Sequence, residues 1–257
     1  MILSKRAALN GVQLDELHEA IVIQRIDPGT PVMNRAATNM MGGAGQRITS
    51  EHWETLDITI EYGINLPNTE MILRRQIFDM VTAWAFGGGW LTVNWIPDRR
   101  VWVDRAEIAS SGDMWEWTDN YTITLRAYSV PFWQDETPSS ATLPQVANGS
   151  IYVDVGGVVQ SVLDIEFANQ SGTTIKNFRV SVGENEIVLT GIALGASETL
   201  KISHGTDGLL RITAGGRSVL DKRTGADDLY VMPGHNLVTI RADRAGALTV
   251  LSYGRYI

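Results

Sequence analysis

Leu56-Asp57-Ile58-Thr59-Ile60-Glu61-Tyr62-Gly63-Ile64 sets an apolar side chain at almost every second position over nine residues. Successive side chains of a strand point to opposite faces, so this period of two predicts a strand with one face on a core and one on water. Tyr121, Ile123, Leu125 and Ala127 repeat the pattern against Thr122, Thr124 and Arg126. Shorter β-rich runs at 91–95 and 101–103 flank a turn at Pro97-Asp98-Arg99-Arg100. Between the first strand and these runs the period changes. Leu73, Ile77, Met80 and Trp84 stand at i, i+4, i+7 and i+11, the stripe of an amphipathic helix. Asn68 is a favourable N-cap, Glu70 a first-turn acid, and Gly87-Gly88-Gly89 a stop. This part reads as mostly antiparallel sheet with one helix laid on it.

Composition changes abruptly further along. All eight tryptophans of the 257-residue chain lie between Trp53 and Trp133. The stretch that follows, Gln134-Asp135-Glu136-Thr137-Pro138-Ser139-Ser140, has no apolar periodicity and reads as an inter-domain crossing. The expected organisation is a domain over 1–134, a linker over 135–149 and a second domain over 150–257. Charge does not separate the halves, which carry −5 (1–133) and −3 (134–257). In the second domain Gly156-Gly157 and Gly215-Gly216 each stand between β-rich runs, the signature of a two-residue hairpin whose turn positions need positive φ. Further strands are expected at 163–168, 176–182, 186–190, 198–203, 229–231, 236–242 and 247–253. Many short strands between Gly-rich turns predict a β-sandwich or jelly roll.

Hydrophobic residues at 44% and charged residues at 19% supply enough apolar material for packed cores. The chain has no cysteine, which removes disulfides, thiolate metal sites and thiol nucleophiles. A net charge of −8 argues against a broad duplex-binding surface. The opening residues contain no apolar run of a secretory signal, and no run of about 20 apolar residues suggests a membrane span. His18, His52, His204 and His235 show no metal-ligand spacing and read as surface or hydrogen-bonded histidines. Gly42-Gly43-Ala44-Gly45-Gln46-Arg47 resembles half a phosphate-binding loop. It lacks the Gly-Lys-Ser/Thr ending and a following helix, so it reads as a contact arm between subunits. No nucleophile elbow occurs. No residue is assigned a catalytic, cofactor-binding or metal role, and no cofactor is expected. Trp115 and Trp117 stand two apart, so in an extended segment both point one way, suited either to packing under a loop or to sealing an interface. The expected oligomer contacts are therefore Gly42, Gly43, Gly45, Gln46, Arg47, Trp115 and Trp117.

The order of these features carries a resemblance. Asn10-Gly11-Val12-Gln13-Leu14 opens the chain, followed by the glycine loop, Glu51-His52-Trp53-Glu54, the Arg74-Arg75 helix and Trp90-Leu91-Thr92-Val93. Then come Pro97-Asp98-Arg99-Arg100 and Arg126-Ala127-Tyr128-Ser129-Val130-Pro131-Phe132-Trp133. Met232-Pro233-Gly234-His235-Asn236-Leu237-Val238-Thr239-Ile240 and Tyr253-Gly254-Arg255-Tyr256 complete the series. The series resembles the distal tail protein (Dit) family of long-tailed phages. The resemblance implies a tail-tube-like β-sandwich or barrel with one flanking helix, the ring-forming belt, then a galectin-like β-sandwich. It also implies a non-enzymatic role, in which copies form a ring, six-fold in the family, at the distal tip of the virion tail. Such a ring joins the tail tube to the adsorption apparatus around a channel that DNA traverses without specific binding. The implied partners are further copies, the tail-tube protein, the tape measure and hub, fibre or receptor-binding proteins, with no membrane, after synthesis in the host cytoplasm. The galectin likeness raises an alternative, attachment to cell-wall glycans. Against it, the second domain has no tryptophan for stacking on a sugar, and its aromatics are Tyr152, Phe167, Phe178, Tyr230, Tyr253 and Tyr256.

Overall fold

The computed structural model describes residues 5–39, 46–67, 69–110 and 120–257. The chain is mainly strand and falls into two units, Met1–Trp133 and Gln134–Ile257. The first unit holds β1 (Ala7–Leu9), β2 (Val12–Gln13), β3 (Ile21–Asp27), β4 (Met33–Asn39), β5 (Gln46–Trp53) and β6 (Leu56–Ile64). The helix α1 (Met71–Phe86) follows, then β7 (Gly89–Val93), β8 (Arg99–Val103), β9 (Arg105–Ser110) and β10 (Asn120–Ala127).

The alternating segment is the strand it predicts. Leu56, Ile58, Ile60 and Tyr62 of β6 are wholly buried, and each such aliphatic side chain contributes about 1.5–3 kcal/mol relative to exposure. β10 pairs with β6 antiparallel and in phase, with Ile123 opposite Ile60 and Leu125 opposite Ile58, so both apolar rows line one face. The four-stranded order is β3-β6-β10-β9. A second antiparallel group, β2-β1-β7-β8, begins with a hairpin at Asn10-Gly11, where both φ angles are positive, 52° and 81°. Asn10 does more than turn the chain. Its Nδ2 donates to the Gly88 carbonyl at 2.8 Å and its Oδ1 accepts from the Trp90 amide at 3.0 Å. These bonds pin the hairpin to the Gly87–Gly89 stop at the end of α1.

Helix α1 is where it was expected, but its buried face shares only Ile77 and Trp84 with the expected stripe. Ile77, Val81, Trp84 and Ala85 are buried, whereas Met80 is 38% exposed and Leu73 is half-buried. Phe78 lies 5.5 Å from the ring of Tyr121 in β10, and Trp84 Nε1 donates to the Val12 carbonyl in β2 at 2.9 Å. Glu70 itself occupies the N-cap position, with no side-chain capping bond, so it is not a first-turn acid. Asn68, the expected cap, lies outside the described residues.

Trp133 opens β11 (Trp133–Asp135) at the boundary. The second unit then holds β12 (Ser139–Val155), β13 (Ser161–Asn169), β14 (Ile175–Val182), β15 (Asn185–Leu194) and β16 (Thr199–His204). β17 (Leu210–Ala214), β18 (Arg217–Ser218), β19 (Arg223–Gly225), β20 (Tyr230–Val231), β21 (Gly234–Ser252) and β22 (Arg255–Tyr256) complete it. Two strands serve both halves of this unit. The first half of β21 sits between β12 and β14, and its second half sits between β12 and β13. The other strands extend each side, β15 and β19 beyond β14, and β16, β17 and β18 beyond β13. Phe167 of β13 and Phe178 of β14 meet across the interior with ring centroids 5.0 Å apart. β12 shifts register between Leu143 and Asn148 opposite the bend in β21. At that bend a side chain on Gly246 would collide with the Ala168 carbonyl and the Phe167 ring.

Two expectations for this unit change. Residues 135–149 are not a linker. Most of them are strand, with Ser139–Leu143 paired to Ser252–Leu248, and their polar composition fits an edge strand, where half the side chains face water. Gly156-Gly157 is not a two-residue hairpin either, since β12 pairs with β21 and not with β13. Gly157 has φ 99° because the backbone of Arg255 passes where a Cβ would stand. Gly215-Gly216 does form the expected turn, with φ of 54° and 79° and Ala214 opposite Arg217.

Candidate functional site

The feature least explained by the fold of one chain is the ribbon formed by β4 and β5. The two strands pair with each other, Asn34 opposite His52 and Thr38 opposite Arg47, and join no third strand among the described residues. Asn34–Thr38 and Arg47–His52 are exposed, Ile48 at 50%. Polar contacts hold the strands in register: Arg35 to Glu51 at 3.1 Å, Asn34 Nδ2 to Glu54 Oε1 at 3.0 Å, and Thr49 Oγ1 to the Ala36 carbonyl at 3.1 Å. Exposed pairs of this kind contribute about 0–1 kcal/mol each, and a lone hairpin in water is marginal. Both outer edges offer backbone donors and acceptors to another strand.

Of the expected contact residues, Gln46 and Arg47 open β5 within this ribbon, and Arg47 is exposed. Gly42, Gly43, Gly45, Trp115 and Trp117 lie outside the described residues. Several other tryptophans pack internally. Trp84 and Trp133 are buried, and Trp90 meets Trp102 edge-on at 5.3 Å with the Arg100 guanidinium 4.0 Å above its ring.

One histidine has chemistry that the spacing did not reveal. His204, at the end of β16, is buried between two carboxylates, with Nδ1 2.8 Å from Asp164 and Nε2 2.8 Å from Asp228. Burial alone would lower its pKa, but the two carboxylate hydrogen bonds and charges outweigh that and raise it to about 9. The imidazole is therefore a cation at neutral pH. With both ring nitrogens committed to carboxylates it has no free nitrogen for general acid–base work, and it acts as a clamp between β13, β16 and the 226–229 segment. Arg255 lies near both aspartates, and burial holds its guanidinium below the ordinary range. The other histidines are ordinary. His18 accepts the Ala20 amide at 3.1 Å, His52 lies exposed in the ribbon, and His235 is exposed. Among the described residues no three His, Asp or Glu are arranged to hold a metal, and no helix is long and apolar enough to cross a membrane.

The chain thus consists of two β-rich units, the first of which carries an exposed two-stranded ribbon. Comparison with solved structures narrows the fold. The chain is similar over 98% of its length, and 99% of the other, to the crystal structure of SPP1 Dit (gp 19.1), described as a paradigm of the hub adsorption apparatus in phages infecting Gram-positive bacteria. The TM-score is 0.69 at 13% identity. It also aligns with the activated phage P2 baseplate with Ca (TM-score 0.47, 7% identity, 96% and 97% covered) and with Sr (0.46, 8%, 96% and 97%). At such identity the first likeness shows a shared fold, the one the ordered motifs led us to expect. The sequence matches no protein-family model and no curated protein.

Proposed function

We propose that this chain is a structural component of a long-tailed phage tail tip, without enzymatic activity. Copies close into a ring through the first unit, and the second unit presents a platform to adsorption proteins. The observation that carries the reading is the β4–β5 ribbon, exposed over 34–38 and 47–52 and without a third strand among the described residues. A heterologous contact in which each ribbon adds to a neighbour's surface generates a closed ring when the rotation closes. The full-length likeness to SPP1 Dit supports this, since that protein belongs to a hub. The proposed partners are further copies in a hexamer, the tail-tube protein, the tape measure and receptor-binding or fibre proteins. The net charge of −8 suits a passage through which DNA moves without sticking. The ring-forming role belongs to the unit ending at Trp133, and Gln46, Arg47 and the flanking glycine loop form its contacts. Glycan attachment has one observation in its favour, the 67% exposure of Tyr152 beside Leu237.

The test is imaging of the purified full chain, alone and mixed with tail-tube protein, together with light scattering. Annular particles with a central hole are expected. Replacing residues 34–52 by a short Gly/Ser turn should leave each copy folded and abolish the rings. Solitary particles at every concentration, with and without the tube protein, would refute ring formation.

A further inference from the structure

The outward face of the β12-β21-β14-β15 sheet holds a pocket of about 330 Å³, lined by Asn177, Arg179, Val188, Thr190, Arg241 and Asp243 among others. Its floor contains an unfavourable pairing. Arg179 of β14 and Arg241 of β21 are direct cross-strand partners, with Cβ atoms about 4.5–5.5 Å apart in such a pair, and like charges placed so destabilise a sheet. Only one of them is offset: Arg179 meets Glu186 at 3.4 Å, while Arg241 forms no ion pair among the described residues. Asp243 lines the same pocket and keeps its negative charge, but among the described residues it forms no ion pair with Arg241. Its Oδ1 accepts from Asn177 Nδ2 at 3.2 Å, and its Oδ2 accepts the backbone amides of Lys176 at 3.1 Å and Asn177 at 2.8 Å.

We infer that this pocket binds a phosphate ester of a sugar or polyol, the phosphate bridging Arg179 and Arg241. A carboxylate satisfies one guanidinium fork, whereas a tetrahedral phosphate has oxygens for two on adjacent strands. The volume exceeds what a bare phosphate fills. Beside the Asp243 carboxylate, which can accept from hydroxyls, stand the neutral Asn177 and Thr190, opposite each other, and Asn148 is the cross-strand partner of Arg241 on its other side. A paired charge that costs stability in the empty protein and is relieved by a ligand is how binding sites depart from the stable arrangement. The inference does not depend on ring formation, because it concerns a different unit and a different surface.

The test is calorimetric titration of the full chain with glycerol 3-phosphate, inorganic phosphate, glucuronate and galactose. Saturable binding of glycerol 3-phosphate is expected, tighter than inorganic phosphate, with glucuronate weaker and galactose silent. Arg241→Gln should weaken binding by about tenfold or more without lowering the melting temperature, and Arg179→Lys should weaken it while keeping the charge. Arg244→Gln, which removes a nearby charge outside the pair, should leave it unchanged. Absence of binding by any anion, binding unaffected by Arg241→Gln, or equal affinity for glucuronate would overturn the assignment.

Discussion

His204 carries a charge the sequence does not announce. Its partners, Asp164 and Asp228, lie 40 and 24 residues away, so no local spacing reveals them; only the pairing of β13 with β16 brings Asp164 near. The stability consequence has a definite sign. The folded pKa is raised from 6.5 to about 9, so the clamp's contribution is fully present below pH 6.5, declines above it and is lost as pH rises through about 9. His204→Gln should therefore lower denaturant stability most at about pH 6, and the gap from the parent protein should narrow by about pH 10. A gap independent of pH would mean the residue acts by packing alone. Asn10 teaches a related lesson. Asn-Gly between β-rich residues is a local hairpin signal, whereas the side-chain bonds of Asn10 to Gly88 and Trp90, 78 and 80 residues on, leave no local trace.

At the scale of elements, strands with strict alternation were readable because burial of one face is a local pattern, as β6 and β10 show. The helix was readable in position and not in rotation, because which stripe is buried depends on its neighbours. Trp84 is common to the expected and observed stripes. Its ring is 9% exposed and its indole donates to Val12, so Trp84→Ala should destabilise the protein by roughly 3–5 kcal/mol in chemical denaturation. Met80→Ala, on the face now known to be exposed, should cost well under about 1 kcal/mol. A loss at Met80 as large as that at Trp84 would restore the sequence-derived orientation. The Gly156-Gly157 reading failed for a physical reason: positive φ serves hairpins and close backbone approaches alike, and the Arg255 backbone that forces it is nearly 100 residues distant in sequence. The 135–149 stretch misled because an edge strand needs little apolar content.

For the whole molecule, charge governs how copies meet. Each carries −8, so association of identical copies works against mutual repulsion screened over about 10 Å at 0.1 M salt and about 3 Å at 1 M. Self-association measured by sedimentation velocity should therefore tighten as salt rises across that range. Weakening with salt would mean that cross-copy ion pairs dominate the contact.

The strands that share both halves of the second unit have one more consequence. Ser139, near the start of that unit, lies opposite Ser252, near its end, so the polypeptide arrives and departs through a single doorway. A module with its two ends side by side can be spliced into a surface turn of an unrelated host without stretching it. By the same geometry its own ends can be joined and new ones opened elsewhere, Gly215-Gly216 being a natural place for the cut.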